Sequence, residues 1–324
     1  MRGKIVLEEH FAIPDTLGDS EQYAPPGKWR DLERRLLDFD GERIEQMEAN
    51  GVEFAILSLN APAVQAIADP VAAARVARKA NDALAAAVAR RPNRLSGFAA
   101  LAMQDVDAAI AELERAVVDL GLKGALVNGY SQVGDSRTAV YLDDARYAPF
   151  WETVERLDVP FYLHPRDPMP ESAFVYRGHP WISGSAWAFG VETATHALRL
   201  MASGLFDRRP GLKLILGHLG EGLPASIWRL DHRIANAPRG IPAKQPMSHY
   251  LRNNCYLTTS GNFSTPTLLG AIAEIGADRI MFSIDYPFDP HAPGASWIDT
   301  APIPDDDRRK ITRGNAVRLF GLDL

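Results

Sequence analysis

Short runs rich in β-branched and aliphatic residues recur along the chain, and stretches with Ala, Leu and Arg at helical spacing lie between them. The runs at 4–10, 53–60, 94–101, 123–128, 159–164, 213–218, 254–260 and 279–285 predict strands. The stretches at 40–49, 70–89, 105–120, 144–157, 186–206, 223–234, 265–275 and 304–320 predict the helices that follow them, several opening on Asp, Pro or Thr and closing near Gly. Eight strand–helix pairs in strict alternation predict an α/β protein built as a (β/α)8 TIM barrel. An open doubly wound sheet would need a glycine-rich phosphate turn after its first strand, where this chain has Glu8, Glu9 and His10. Two connections, 11–38 and 165–185, exceed ordinary strand-to-helix loops, and these long loops follow strands one and five, at the end where barrel active sites are built.

Neither a solenoid-length repeat nor a composition break divides the sequence, so residues 1–324 are expected to form a single barrel domain. The 46% hydrophobic and 23% charged fractions are those of a globular protein, without a lipid-length apolar run. The formal charge of −6 comes with no Lys/Arg block, which argues against nucleic acid or a membrane surface as partner. The single cysteine, Cys255, rules out an internal disulfide framework and a multi-thiolate zinc site, and the start carries no secretory apolar region, so a cytoplasmic location is expected.

Metal-competent and acid–base residues gather at the C-terminal ends of the strands. Side chains alternate along a strand, so Glu8 and His10 share a face and Glu9 takes the other. Strand five ends in His164, strand six in His218 and strand eight in Asp285. Each alone is most simply a cap or a loop hydrogen-bonder. Independent caps would scatter over both barrel ends, whereas these five residues converge on one mouth and point to a metal site. Imidazoles and carboxylates without thiolate suit a divalent ion, Mn or Zn. Strand four ends at Asn128 with no Lys or Glu to bridge a second ion, which favours one ion per subunit.

Several longer motifs carry a resemblance: GKIVLEEHFAIP from Gly3, LSLNAPAVQAI from Leu57, GALVNGYSQ from Gly124, VPFYLHPRDPMP from Val159, HALRLMASGLFDRRPGLKLILGHLGEGLP from His196, TTSGNF from Thr258 and FSIDYPF from Phe282. Together they make the chain similar, over nearly its whole length, to the metal-dependent nonoxidative aromatic acid decarboxylases of the amidohydrolase superfamily, of the γ-resorcylate and 2,3-dihydroxybenzoate type. The resemblance implies an amidohydrolase-like barrel, with Glu8, His10, His164 and Asp285 as metal ligands and His218 with Glu221 as an acid–base pair beside the substrate. It also implies a homo-oligomer, commonly a homotetramer, and a reversible reaction that turns an ortho-hydroxybenzoate into a phenol and CO2. The chemistry needs an acid aimed at carbon, because an aryl carbanion is too unstable to form freely and the ring carbon must be protonated before CO2 leaves. The resemblance implies Asp285 for that proton, with His218 as the competing donor.

Asn128 and Arg229 are candidates for substrate oxygens, and Tyr23, Trp187, Phe189 and Phe288 for walls around the ring, against the alternative that they are plain loop, helix or core residues. Ile284, Tyr286 and the loop to His291 depart from the γ-resorcylate pattern, which leaves 2,6-dihydroxybenzoate, 2,3-dihydroxybenzoate and salicylate all open as substrates. The competing function is a hydrolase that uses the same ion to activate water against an ester, lactone or amide. A noncatalytic scaffold comes last, having no need of five converging polar groups.

Overall fold

The computed structural model describes residues 3–324. Its strands are β1 (Lys4–Phe11), β2 (Val52–Leu59), β3 (Leu95–Gly97), β4 (Ala125–Asn128), β5 (Phe161–His164), β6 (Leu214–Leu216), β7 (Cys255–Thr258) and β8 (Ile280–Met281). All pair in parallel with their sequence neighbours, as β1-β2-β3 and β4-β5-β6-β7-β8. The two groups join where Ala99 bridges Ala125, with Ala99 N–H donating to Gly124 O (2.8 Å). Across the other seam His10 N–H donates to Tyr286 O (2.6 Å) and Leu7 N–H to Ser283 Oγ (3.2 Å), so the sheet closes as the expected barrel.

Around it run α1 (Trp29–Leu36), α2 (Glu42–Ala49), α3 (Pro70–Arg90), α4 (Val106–Val118), α5 (Ala148–Arg156), α6 (Ala188–Ala202), α7 (Leu205–Arg208), α8 (Leu223–Asn236), α9 (Met247–Asn254), α10 (Thr265–Ile275), α11 (His291–Thr300), α12 (Asp305–Arg309) and α13 (Asn315–Phe320). Local chemistry sets several starts: Asp69, Asp105 and Ser264 cap α3, α4 and α10 by accepting from the N–H of Ala72, Ala108 and Thr267. The helix expected over 186–206 is divided, because Gly204 takes a left-handed turn (φ +74°) between α6 and α7. The one expected over 304–320 is interrupted by a π-type turn at Lys310–Gly314.

The barrel interior is filled at its lower end by Ile5, Leu7, Phe54, Ile56, Phe98, Leu126, Tyr162, Ile215 and Met281, and the C-terminal Phe320 and Leu322 close that end. Val6, Leu57, Val127, Leu163 and Leu216 face outward into the larger layer beneath the helices. Both faces of the sheet are therefore buried, which is why the strands read as continuous apolar runs.

Strand β1 departs from simple alternation. Ile5 and Leu7 point into the barrel, yet so do Glu8 and His10, because the register with β2 slips between Val6 and Glu9. The extra residue is a β-bulge, which turns the strand over and aims the polar pair inward while Glu9 faces out.

Candidate metal centre

The bulge sets Glu8 and His10 on one wall of the upper barrel and β5 sets His164 beside them. Ligand atoms of these three buried residues lie within 4.8 Å of one another. Glu8 Oε1 is 3.2 Å from His164 Nε2, and His10 Nε2 is 3.2 Å from Asp285 Oδ1. Neither contact is aligned as a hydrogen bond, and Glu8 Oε1 and His10 Nε2 are buried without a partner. Acceptor and imidazole atoms left bare and aimed at a common point fit a cation. Burial holds His164 below the usual histidine range, with His10 adding to the effect, so its imidazole is neutral and free to ligate. Burial pushes against ionisation of Glu8, but the charge of His218, with the His164 and His10 imidazoles beside the carboxylate, outweighs it and keeps the group well below its ordinary range.

The remaining orientation comes from residues the sequence reading passed over. Tyr162 OH donates to Glu8 Oε2, and Thr258 Oγ1, with one proton to give, stands 2.7 Å from the Tyr162 hydroxyl oxygen and 3.2 Å from Glu8 Oε2. These hydroxyls occupy one carboxylate oxygen and leave the other bare. Ser58 Oγ lies 3.1 Å from His10 Nδ1 and turns Nε2 toward the centre. Tyr162 stands two residues before His164 on β5, and that spacing on one strand face was the signal available in the sequence. Gly217 had no such signal: a Cβ there would stand 2.8 Å from Glu8 Oε2.

His218 and Asp285 lie beyond their strands, not at the strand ends where the sequence pattern set them. β6 stops at Leu216 and β8 at Met281. Both residues have left-handed backbones, φ +51° and +79°, and Leu219, Gly220, Glu221 and Gly222 continue the positive-φ run. Such conformations are costly for residues with a Cβ and mark a functional loop. The strained turn brings Glu221 Oε1 within 2.7 Å of His218 Nδ1, while His218 Nε2 faces Asp285 Oδ2 at 3.6 Å and Glu8 Oε1 at 3.9 Å. Burial opposes the charge on His218, but Glu221, Glu8 and Asp285 overcome it and raise the imidazole well above its usual range. For Asp285, burial is likewise outweighed, by the imidazoles of His10 and His218 beside it, and the net direction is down. Half-buried Asp289, beside Gly261 at the rim, is pushed up to about 6 by burial and then by the charge of Asp285.

From His218 and Glu221 a cleft of about 900 Å³ opens outward past Phe189, Trp187, Asn262 and Phe263. Tyr23 meets Phe189 edge-on at 5.4 Å and donates to Asp167 Oδ2 (2.9 Å); Phe288 meets His10 edge-on at 5.7 Å. Asn128 is buried, its Nδ2 engaged by Asn60 O (3.1 Å) and Pro62 O (3.3 Å), with Oδ1 unpartnered. Arg229 is not brought to the centre of its own chain: it is exposed on α8 and lines a shallow cleft with Leu198, Leu230 and Arg233.

The family model described as amidohydrolase matches residues 29–322. The chain belongs to the amidohydrolase family. Within that family it is 57% identical to the γ-resorcylate decarboxylase of Rhizobium radiobacter, over 100% of this chain and 99% of the relative. A crystal structure of a 2,6-dihydroxybenzoate decarboxylase complexed with 2,6-dihydroxybenzoate superposes with a TM-score of 0.98 at 56% identity, covering 99% of this chain and 100% of that one. A dihydroxybenzoic acid decarboxylase from Polaromonas, with bound manganese and the inhibitor 2-nitroresorcinol, gives the same TM-score and identity over 100% and 98% of the two chains. This amidohydrolase is therefore a relative of the metal-dependent aromatic acid decarboxylases, as its motifs implied.

Proposed function

We propose that this protein is a manganese-dependent carboxy-lyase that decarboxylates 2,6-dihydroxybenzoate or a close ortho-hydroxybenzoate. The observation that carries the reading is the grouping of Glu8, His10 and His164 with bare atoms facing one another, next to Asp285 and the His218–Glu221 pair. Glu8, His10, His164 and Asp285 would hold the divalent ion, which when bound supplies a Lewis acid that fixes the carboxylate and the neighbouring phenol oxygen of the substrate. Glu221 holds His218 in its charged form, with Nε2–H turned toward Asp285. The low range of Asp285 and the high range of His218 keep the proton on His218 at rest, so His218 Nε2, 3.6 Å away, is the store from which Asp285 is loaded once substrate binds. Asp285 passes the proton to the ring carbon that bears the carboxylate, the C–C bond breaks, and the ring regains aromaticity as CO2 leaves. Phe189, Tyr23, Trp187 and Phe288 offer aromatic faces to the ring, and Asn128 Oδ1 a hydrogen-bond acceptor.

The matches over whole chains support reading residues 1–324 as one domain. Among the described residues no helix is long and apolar enough to cross a membrane. The lone cysteine is buried, and burial pushes its thiol up to about 12, which makes it unreactive; the cytoplasmic location stays part of the proposal. Trp187, Val191 and Trp228 leave large apolar surfaces in water around α6 and α8, which supports a homo-oligomer, in keeping with the homotetramer that the resemblance implies.

The test is metal-replete turnover of a panel of ortho-hydroxybenzoates, followed by ring absorbance and CO2 release, with Asp285→Asn and His218→Ala beside the unaltered enzyme. CO2 release that requires both residues and stops with a chelator supports the decarboxylase. Intact acids alongside cleavage of a lactone or ester would make the protein a hydrolase.

A further inference from the structure

Glu9 is the one residue of the Glu8-Glu9-His10 triplet without a part in the chemistry above. It points away from the ion site and is 1% exposed. Its carboxylate reaches across the seam between β1 and β8. Oε1 accepts from Ile284 N–H (3.0 Å) and Ser283 Oγ–H (3.1 Å), and Oε2 accepts from Tyr286 N–H (3.3 Å).

Those amides flank Asp285. β8 ends at Met281, so no ladder with β1 holds the chain where Asp285 sits, and Asp285 has a left-handed backbone that a residue with a Cβ keeps only under outside restraint. Thr259 and Gly261 grip the same segment from the β7 side, through Ser283 O (2.8 Å) and Ile284 O (3.1 Å), and His10 N–H holds Tyr286 O. Glu9 bonds the amides on both sides of Asp285 from β1. Arg43 from α2 donates to His10 O (2.5 Å) and lies over the Tyr286 ring at 4.9 Å, which stiffens the same corner.

We propose that Glu9 is a positioning residue: from the outer face of β1 its carboxylate clamps the backbone on both sides of Asp285 and so sets that side chain's place relative to Glu8 and His10. The inference rests on the reading of Asp285 as ligand and acid. One carboxylate thereby registers two halves of the ion site that come from opposite ends of the sequence. The bulge in β1 makes this possible, since it sends Glu8 and His10 inward and leaves Glu9 facing the seam.

Glu9→Gln keeps the shape and an acceptor for Ile284 N–H and Ser283 Oγ–H but turns an NH2 toward Tyr286 N–H, so the clamp is released on one side. Glu9→Ala releases both sides. Each variant, with Asp285→Asn, is assayed for Mn²⁺ affinity by the EPR signal of the free ion, for kcat and KM at saturating Mn²⁺, and for thermal unfolding without metal. Glu9→Gln is expected to melt near the unaltered protein, to bind Mn²⁺ roughly 10-fold more weakly and to lose kcat by a similar or larger factor, with KM changed less than about threefold. Glu9→Ala should lose more on each count. Unaltered Mn²⁺ affinity and kcat in Glu9→Gln, or a loss matched by its unfolded fraction, overturns the inference while an inactive Asp285→Asn leaves the parent reading standing. Full activity and Mn²⁺ affinity in Asp285→Asn would overturn the parent reading and the inference with it.

Discussion

Replacing Tyr162 by Phe removes one oxygen from the floor of the ion site and changes little else. The ring stays packed in the barrel interior beside Phe98, 5.8 Å away, while Glu8 Oε2 loses its phenol donor and keeps Thr258 Oγ1 at 3.2 Å. A hydrogen bond to an ionised group contributes about 1.5–3 kcal/mol, so the metal-free protein should melt about 2–4 °C lower, given the unfolding entropy of a chain this long. The larger consequence concerns the bare oxygen. With Oε2 held by two hydroxyls, Oε1 has one direction available; with one holder the carboxylate can rotate, and orienting partners of this kind are worth about 10–100-fold in metal affinity. Mn²⁺ titration monitored by EPR, with turnover at saturating metal, is the assay. Tyr162→Phe should need correspondingly more Mn²⁺ and regain most of its activity once saturated. Mn²⁺ affinity within twofold of the unaltered protein would refute the reasoning, because Glu8 would then be oriented by something other than Tyr162.

Gly217→Ala adds a methyl 2.8 Å from Glu8 Oε2; the barrel should fold, and Mn²⁺ titration should show affinity reduced by at least about 10-fold as the carboxylate is displaced. Removal of the ion by a chelator should abolish turnover reversibly and leave the circular dichroism spectrum intact, since the core does not depend on metal. Mn²⁺ at a hundred times its Kd should then add about 2.7 kcal/mol of stability, visible as a higher melting temperature. His196 is fully buried, with Nε2 accepting from Leu142 N–H (2.9 Å), and burial together with the charge of Arg199 lowers its pKa to about 3. A base depressed in the fold takes up its proton on unfolding, so its contribution to stability is whole above pH 6.5 and is lost as pH falls toward 3. Between pH 6.5 and 5 that is about 2 kcal/mol, and His196→Gln should flatten the urea stability profile over this window; parallel profiles would count against the assignment.

The alternation of eight apolar runs with helical stretches was enough to predict the barrel, because a strand buried on both faces and a helix with one apolar stripe leave periodic marks that need no tertiary knowledge. The polar residues at one end of those runs likewise marked the mouth. The pairing of Glu8 with His10 also followed from strand alternation, and so did the opposite direction of Glu9. Alternation did not reveal which direction is inward. Counted from the barrel-lining Ile5 and Leu7, it would place Glu9 inside and Glu8 outside. The bulge reverses this, and a bulge is a mismatch between β1 and β2, so it belongs to a pairing and leaves no mark in either strand alone.

The same holds for the rest of the centre. His218 and Asp285 were visible as residues, but the left-handed turns that bring them to Glu8 are imposed by contacts from β1, β7 and neighbouring loops, and not by their own propensities. Tyr162, Thr258 and Ser58 look like ordinary strand residues until the barrel closes and puts their hydroxyls on one carboxylate and one imidazole. Arg229 carries the opposite lesson: its chemistry suits an acid substrate, yet the helix turns it to the surface of its own chain. The sequence by itself determined the kind of fold, the end that carries chemistry and the donor atoms available, since these depend on composition and period along one strand or helix. Only the tertiary structure decided which oxygen of Glu8 is left bare, which face of β1 turns inward and what holds Asp285, because each depends on atoms from strands far apart in the chain.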